Sequence, residues 1–179
     1  MRITKVTTRT GDKGKTGLAN GEKVFKSDKI ISALGDVDEL SSIIGVCVNS
    51  CSDSETIKFL NKIQNNLFDI GGQISLNSFD NSIINEKMIT DLDNQIDILN
   101  SELDPLKEFI LPGGDSFSSN IHIARSVTRR AERTTVDLYS ESLNENPVIM
   151  YLNRLSDYFF VLSRNYNKKN NISETTWKR

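Results

Sequence analysis

The chain has 179 residues, of which 37% are hydrophobic and 26% charged, a length and composition that support one domain with a buried core. With a net charge of -2 it carries no general nucleic-acid surface, so any anion recognition has to come from local clusters. No apolar run of about 18 residues occurs, and the opening Met1-Arg-Ile-Thr-Lys-Val6 lacks the hydrophobic stretch of a secretory signal. Both facts predict a cytoplasmic protein without a membrane span.

Residues 1–26 form a polar, Gly- and Thr-rich segment with no clear periodicity. After Ser27, a residue type that caps helices, Ile30, Ile31, Leu34, Val37, Leu40, Ile44 and Cys47 recur at helical spacing. Asp53 or Ser54 is placed to cap a second helix carrying Ile57, Leu60, Ile63, Leu67, Ile70 and Ile74. An Asn- and Ser-rich loop over 77–85 precedes a third helix with Met88, Ile89, Leu92, Ile96, Leu99 and Leu103, and Pro105 lies past its end. The fourth runs without a breaker from Asp115 to Leu138 and contributes Phe117, Ile121, Ala124, Ala131 and Leu138 to the interior. Asn146-Pro147 opens the fifth, which continues through Met150, Leu152, Leu155, Phe159 and Leu162. The tail 168–179 is polar and is expected to be poorly ordered alone. Long amphipathic helices with almost no strand signal predict a single all-α bundle domain over 27–167.

Chemistry concentrates in four blocks. On the fourth helix Arg125, Arg129 and Arg133 are spaced four apart and share a face, with Arg130 and Glu132 beside them. Such a stripe is either a solvated charged face or a site for phosphate oxygens, which guanidinium groups bind in a planar, bidentate way. The segment Thr8-Arg-Thr-Gly-Asp-Lys-Gly-Lys-Thr-Gly17 combines glycines, hydroxyls and cations, a composition equally fit for an anion cradle or a flexible tail. Its Gly14-Lys15-Thr16 is not a P-loop, since the required earlier glycine is Arg9. Gly35-Asp-Val-Asp-Glu-Leu40 sets three carboxylates in an apolar helix; Asp36 and Glu39 are expected outward, and Asp38 beside the buried stripe. Tyr151-Leu-Asn-Arg-Leu-Ser-Asp157 presents Asn153 and Asp157 on one face.

Metal and nucleophile signatures are weak. His122 is the only histidine, with Ser119 rather than a glutamate three residues before it, so the di-iron bundle pattern is absent. Cys47 and Cys51 lack a second Cys or His pair and read as buried thiols.

Taken in order, Thr8–Gly14, Lys26, Gly35–Leu40, Phe109-Ile-Leu-Pro-Gly-Gly114, Arg125–Arg133 and Tyr151–Asp157 resemble the PduO-type ATP:cob(I)alamin adenosyltransferases. The resemblance implies a homotrimeric five-helix bundle with active sites between subunits. It implies transfer of the 5′-deoxyadenosyl group of ATP to cobalt of cob(I)alamin, with Mg²⁺, releasing triphosphate. By the same resemblance Thr8, Arg9, Thr10, Gly11, Thr16, Gly17 and Lys26 wrap ATP. Arg129, Arg130, Ala131, Glu132, Arg133 and Asn153 of another subunit then complete the nucleotide site. Asp38 and Arg125 match an intersubunit salt bridge, and Phe109 an aromatic that covers the lower corrin face. A cobalamin reductase and an adenosylcobalamin-dependent enzyme are the protein partners implied. A non-catalytic carrier of nucleotide or cobalamin would show similar site residues, and a purely structural bundle would use the arginine stripe at an oligomer interface.

Overall fold

A computed structural model describes residues 7, 9–77, 82–140 and 146–178. Among the described residues the chain forms helices α1 (Lys29–Ser50), α2 (Ser54–Leu76), α3 (Glu86–Ser101), α4 (Ser116–Leu138) and α5 (Pro147–Lys169). They are preceded by two short strands, β1 (Lys15–Gly17) and β2 (Lys23–Phe25). Each helix begins at a side chain that satisfies a free backbone N–H. Asp53 accepts from Thr56 N at 2.8 Å, Asn85 from Met88 N at 3.2 Å, Asp115 from Ser118 N at 2.8 Å and Asn146 from Val148 N at 3.0 Å. The cap of α1 is Asp28, accepting from Ile30 N at 3.2 Å, and not Ser27 as the sequence predicts.

The apolar stripes meet in one core. Leu40 and Ile44 of α1, Leu60, Ile70 and Ile74 of α2, Phe117, Ile121, Ala124 and Ala131 of α4 and Leu152, Leu155 and Phe159 of α5 are all completely buried. α4 packs against both α1 and α5, α2 covers α1, and α3 covers α5. α3 is the most peripheral helix, with only Ile89 and Leu92 buried. Leu103 falls beyond its end, in the turn that Leu103 N closes on Asn100 O. Cys47 is buried as expected, and burial pushes its thiol up to about 12, so it stays protonated; Cys51 is half-buried. None of the described helices is long and apolar enough to cross a membrane.

Two parts differ from the sequence expectation. The N-terminal segment contains an antiparallel hairpin pairing Thr16 with Val24, turned through Gly21 at φ 89°. Its tip is pinned by the buried Leu18 and by Ala19 N donating to Ser75 Oγ of α2 at 2.9 Å. The polar tail, expected to be poorly ordered, is tied down. Leu111 N donates to Thr175 O at 2.8 Å and Trp177 N to Phe109 O at 2.7 Å, with Ile110 and Thr176 bridged antiparallel.

The last turns of α5 carry polar side chains inward and grip the loop between α3 and α4. Asn165 Nδ2 donates to Leu99 O at 3.1 Å and to Glu102 at 2.8 Å, and Lys168 Nζ donates to Glu102 O at 2.7 Å. Gly114 lies directly beneath Asn167 with φ 124°; a Cβ there would sit 2.8 Å from Ser118 Cβ and closer still to the Asn167 amide. Backbone conformation and contact both demand glycine. Gly114→Ala is expected to destabilise the fold by roughly 1–3 kcal/mol, read as a lowered urea midpoint with an unchanged slope.

Candidate active site

α4 distributes its arginines in different directions. Arg129 and Arg133 are exposed, and Arg133 Nη1 donates to Arg129 O at 3.0 Å, which lays one guanidinium back along the helix. Arg130 turns to α1. Its Nε donates to Asp36 Oδ1 at 3.1 Å and its Nη2 to Glu39, while Thr134 Oγ1 donates to Asp36 Oδ2 at 3.0 Å. The Glu39 bond, then that to Asp36, raises the Arg130 pKa above its ordinary value. Asp36 and Glu39 are therefore not simply outward-facing: both cross-link α1 to α4, and the Asp36 side chain keeps only 17% exposure. Ala131 is wholly buried in the core between these helices.

Beside Arg129 and Arg133 the start of α5 supplies Asn153. Its Nδ2 donates to Glu132 Oε1 at 3.0 Å, and its Oδ1 accepts from Arg154 Nη1 at 3.1 Å. Arg129, Glu132, Arg133, Val136 and Asn153 line an open pocket of about 320 Å³. Two cations, a carboxylate and an oriented amide thus converge where the sequence marked separate motifs. Asp157, one turn further along α5, is exposed and outside the lining.

The N-terminal loop is a second polar cradle. Gly14 N donates to Gly11 O at 3.1 Å and Lys26 N to Gly14 O at 2.8 Å, so Lys26 closes the turn that begins at Arg9. A Cβ on Gly11 would meet Lys26 Nζ at 2.9 Å; the missing side chain is what lets the ammonium lie over the loop backbone. Thr16 and Gly17 follow on β1, and Thr8 lies outside the described residues. Among the described residues none of this loop lines the α4–α5 pocket.

The remaining candidates are also separate within one chain. Phe109 is 80% exposed and, with Lys107, Glu108, Trp177 and Lys178, borders an open cavity of about 550 Å³. Asp38 is exposed at an apolar groove with Leu34, Val37, Leu67 and Phe68, and makes no ion pair among the described residues. Arg125 is half-buried, and its Nε has no hydrogen-bond partner. Burial, then the neighbouring Arg129, lowers its pKa from the ordinary guanidinium value. Among the described residues no group of three or more His, Cys, Asp or Glu side chains could hold a metal ion.

Residues 6–166 match the family model described as cobalamin adenosyltransferase. The chain belongs to the cobalamin adenosyltransferase family. A cobalamin adenosyltransferase of Cupriavidus metallidurans is 43% identical over 99% of this chain and 96% of its own length. The corrinoid adenosyltransferase of Bacillus subtilis is 40% identical over 98% and 93%. Among solved structures, a variant PduO-type ATP:corrinoid adenosyltransferase of Lactobacillus reuteri complexed with cobalamin and ATP superposes with TM-score 0.89. That likeness comes at 31% identity and covers 98% of this chain and 100% of that one. A second variant of that protein, complexed with ATP, gives TM-score 0.86 at 35% identity, over 97% and 100%. Arg164, which donates to Glu174 Oε1 at 3.1 Å and to Asp104 O at 3.2 Å, and Trp177, whose N–H donates to Phe109 O at 2.7 Å, belong to no sequence motif.

Two outcomes test these local assignments. Arg130→Ala should lower stability by about 0.5–1 kcal/mol, because it strips Asp36 of its cation, while Arg129→Ala leaves thermal unfolding unchanged. Equal midpoints for the two variants would remove the cross-link. His122 is buried with Nδ1 unpartnered, and burial, then Arg125, holds its pKa below 6.5. Below about pH 6.5 the unfolded chain binds the proton more readily than the fold, so stability falls as pH falls and is retained above that value. His122→Asn should flatten the acid limb of the midpoint-against-pH curve.

Proposed function

We propose that each catalytic centre is assembled from two copies of this chain, with ATP lying between the loop of one and the α4–α5 pocket of the other. The enzyme transfers the 5′-deoxyadenosyl group of ATP to cobalt of cob(I)alamin, giving adenosylcobalamin and triphosphate. The observation that carries the two-copy reading is the pocket itself. It unites Arg129, Glu132, Arg133 and Asn153 yet contains no residue of the Arg9–Gly17 loop or Lys26. Asp38 and Arg125 support it too, since each is a charge without an ion-pair partner among the described residues, and the two have opposite sign. A homotrimer, as the family resemblance implies, would join them across each interface. The compartment that fits is the cytoplasm, where a cobalamin reductase would supply electrons and an adenosylcobalamin-dependent enzyme would take the product.

Cob(I)alamin is itself a strong nucleophile, so the protein needs no general base. Its task is to hold C5′ in line with cobalt and to stabilise charge growing on the leaving triphosphate. Positioning alone contributes up to about 7–11 kcal/mol in favourable systems. Arg129 and Arg133 supply preorganised positive charge for the phosphates, and Lys26 with the loop N–H groups supplies more from the other subunit. Asn153, oriented by Glu132 and Arg154, is fit to read the ribose or base. Arg130, committed to Asp36 and Glu39, acts by fixing α4 on α1, and Ala131 by letting the helices approach. Magnesium fits as part of the substrate, carried on ATP phosphates: it typically uses one or two carboxylates at most, and Glu132 is the carboxylate of the pocket. Phe109, by excluding the lower axial ligand, would leave cobalt four-coordinate and ease reduction of cob(II)alamin.

The deciding assay combines the purified protein, ATP, Mg²⁺ and chemically reduced cobalamin. Adenosylcobalamin and intact triphosphate should form in equal amounts, and release of ADP or pyrophosphate instead would overturn the reaction. Arg129→Ala should lose turnover on the order of 10²- to 10³-fold while the bundle stays folded. Near-normal turnover in that variant would end its role. Phe109→Ala should impair turnover started from cob(II)alamin far more than ATP affinity, measured by calorimetric titration.

A further inference from the structure

The loop that carries Phe109 has little apolar anchorage. Residues 104–109 are all exposed, and Leu103–Glu108 arch over an open cavity of about 520 Å³ rather than resting on the core. A segment with so few buried contacts opens easily unless polar ties hold it. Two side chains of α5 supply the ties: Lys168 Nζ donates to Glu102 O at 2.7 Å and to Asp104 Oδ2 at 3.0 Å, and Arg164 reaches both this loop and the C-terminal tail.

Arg164 projects from α5 and is 7% exposed, an unusual place for a cation. Its Nε donates to Glu174 Oε1 at 3.1 Å and Oε2 at 3.4 Å, and its Nη2 donates to Asp104 O at 3.2 Å. One planar guanidinium therefore holds the loop upstream of Phe109 and the tail downstream of α5 together. The tail then pairs with the loop across Phe109, Ile110 and Leu111, through Trp177 N–H to Phe109 O and Leu111 N–H to Thr175 O. Arg164 is the side chain that joins both flanks of Phe109, with Lys168 bonding only the upstream one, while the phenyl ring itself stays exposed. A lysine could not reproduce this, since it lacks the rigid fork that addresses a carboxylate and a carbonyl in different directions.

We infer that Arg164, through Glu174 and the C-terminal tail, is a positioning residue that holds Phe109 at the corrin. The inference rests on the reading of Phe109 as the residue covering the lower corrin face. Arg164 touches no substrate. It fixes the height and direction of a ring whose displacement by about an ångström can cost on the order of a hundred-fold in rate.

Glu174 is the residue to change, because it is partly exposed and its removal spares the helix. Hydrogen exchange on the full-length protein is the first measurement. In Glu174→Ala the amides of Leu111 and Trp177 should exchange at least ten-fold faster while α1, α2 and α4 keep their protection, and Glu174→Asp should restore most of the slow exchange. Unchanged exchange in Glu174→Ala overturns the latch. Turnover is then compared from two starting points, cob(II)alamin with a dihydroflavin reductant and cob(I)alamin reduced beforehand. Glu174→Ala should lose on the order of ten- to a hundred-fold from cob(II)alamin, and distinctly less from cob(I)alamin, with ATP affinity preserved. Phe109→Ala is the reference. If it shows this split and Glu174→Ala does not, the positioning role fails while the reading of Phe109 stands. If Phe109→Ala shows no split, the reading of Phe109 fails and takes the latch's part in the reaction with it.

Discussion

The close packing of α4 between α1 and α5 is the constraint on which the rest depends. Along its buried side α4 presents Ala124, Thr128, Ala131 and Thr135, all wholly buried and all small. Small side chains on the contact stripe let neighbouring helices approach, and helix pairs then settle into ridge-and-groove registers. The hydroxyls cause no penalty, because Thr128 donates to Ala124 O and Thr135 to Ala131 O, each at 2.7 Å, inside the helix itself. With the backbone held so closely, the flanking arginines have fixed origins. Arg130 faces α1, Arg129 and Arg133 face the start of α5, and Arg125 is half-submerged.

This arrangement explains why neighbouring residues of one charge serve different ends. Arg130 and Asp36 are 94 residues apart in sequence yet bonded in space, so the pair fixes which face of α4 turns to α1. A partly exposed pair of this kind adds little net stability, but leaving the carboxylate without its cation would disfavour the packing. Among the described residues Arg129 and Arg133 pair with no carboxylate, and both side chains are exposed. The stripe that is uniform in sequence is thus divided by the tertiary contacts of α4.

The helices were legible because a 3.6-residue period of apolar side chains leaves no other reading, and the Asn146-Pro147 start of α5 was legible from its cap chemistry. The α1 boundary slipped by one residue because Ser27 and Asp28 are both good caps, and only the position of the Ile30 N–H chooses between them. The hairpin was not legible: three-residue strands of Lys15, Thr16 and Gly17 against Lys23, Val24 and Phe25 carry no alternation, and their anchor, Ser75, is 56 residues from Ala19. The tail failed for the same reason, since its order comes from a buried arginine and from pairing with the Phe109 loop. At the site, Arg129, Glu132, Arg133 and Asn153, which the sequence sets in separate motifs, line one pocket. The commitment of Arg130 to two α1 carboxylates was hidden, because it depends on the relative rotation of two helices.

A single folded chain carries an arginine-lined pocket on α4 and α5, a glycine-rich cradle beside β1, an exposed aspartate on α1 and, among the described residues, a guanidinium on α4 without an ion-pair partner. Most of these groups are stable alone because they retain contact with water: Asp38 is exposed, Arg129 and Arg133 are exposed, and the cradle's cations are open to solvent, whereas Arg125 is half-buried. None is stable alone in the dry, preorganised form that stabilises a leaving triphosphate. Bringing the cradle of one copy over the pocket of another would remove that water from both, strengthening every charge–phosphate contact as the local dielectric falls. In the proposed two-copy site, assembly and catalytic competence would be one step, for the same desolvation that joined the copies would give the arginines their strength.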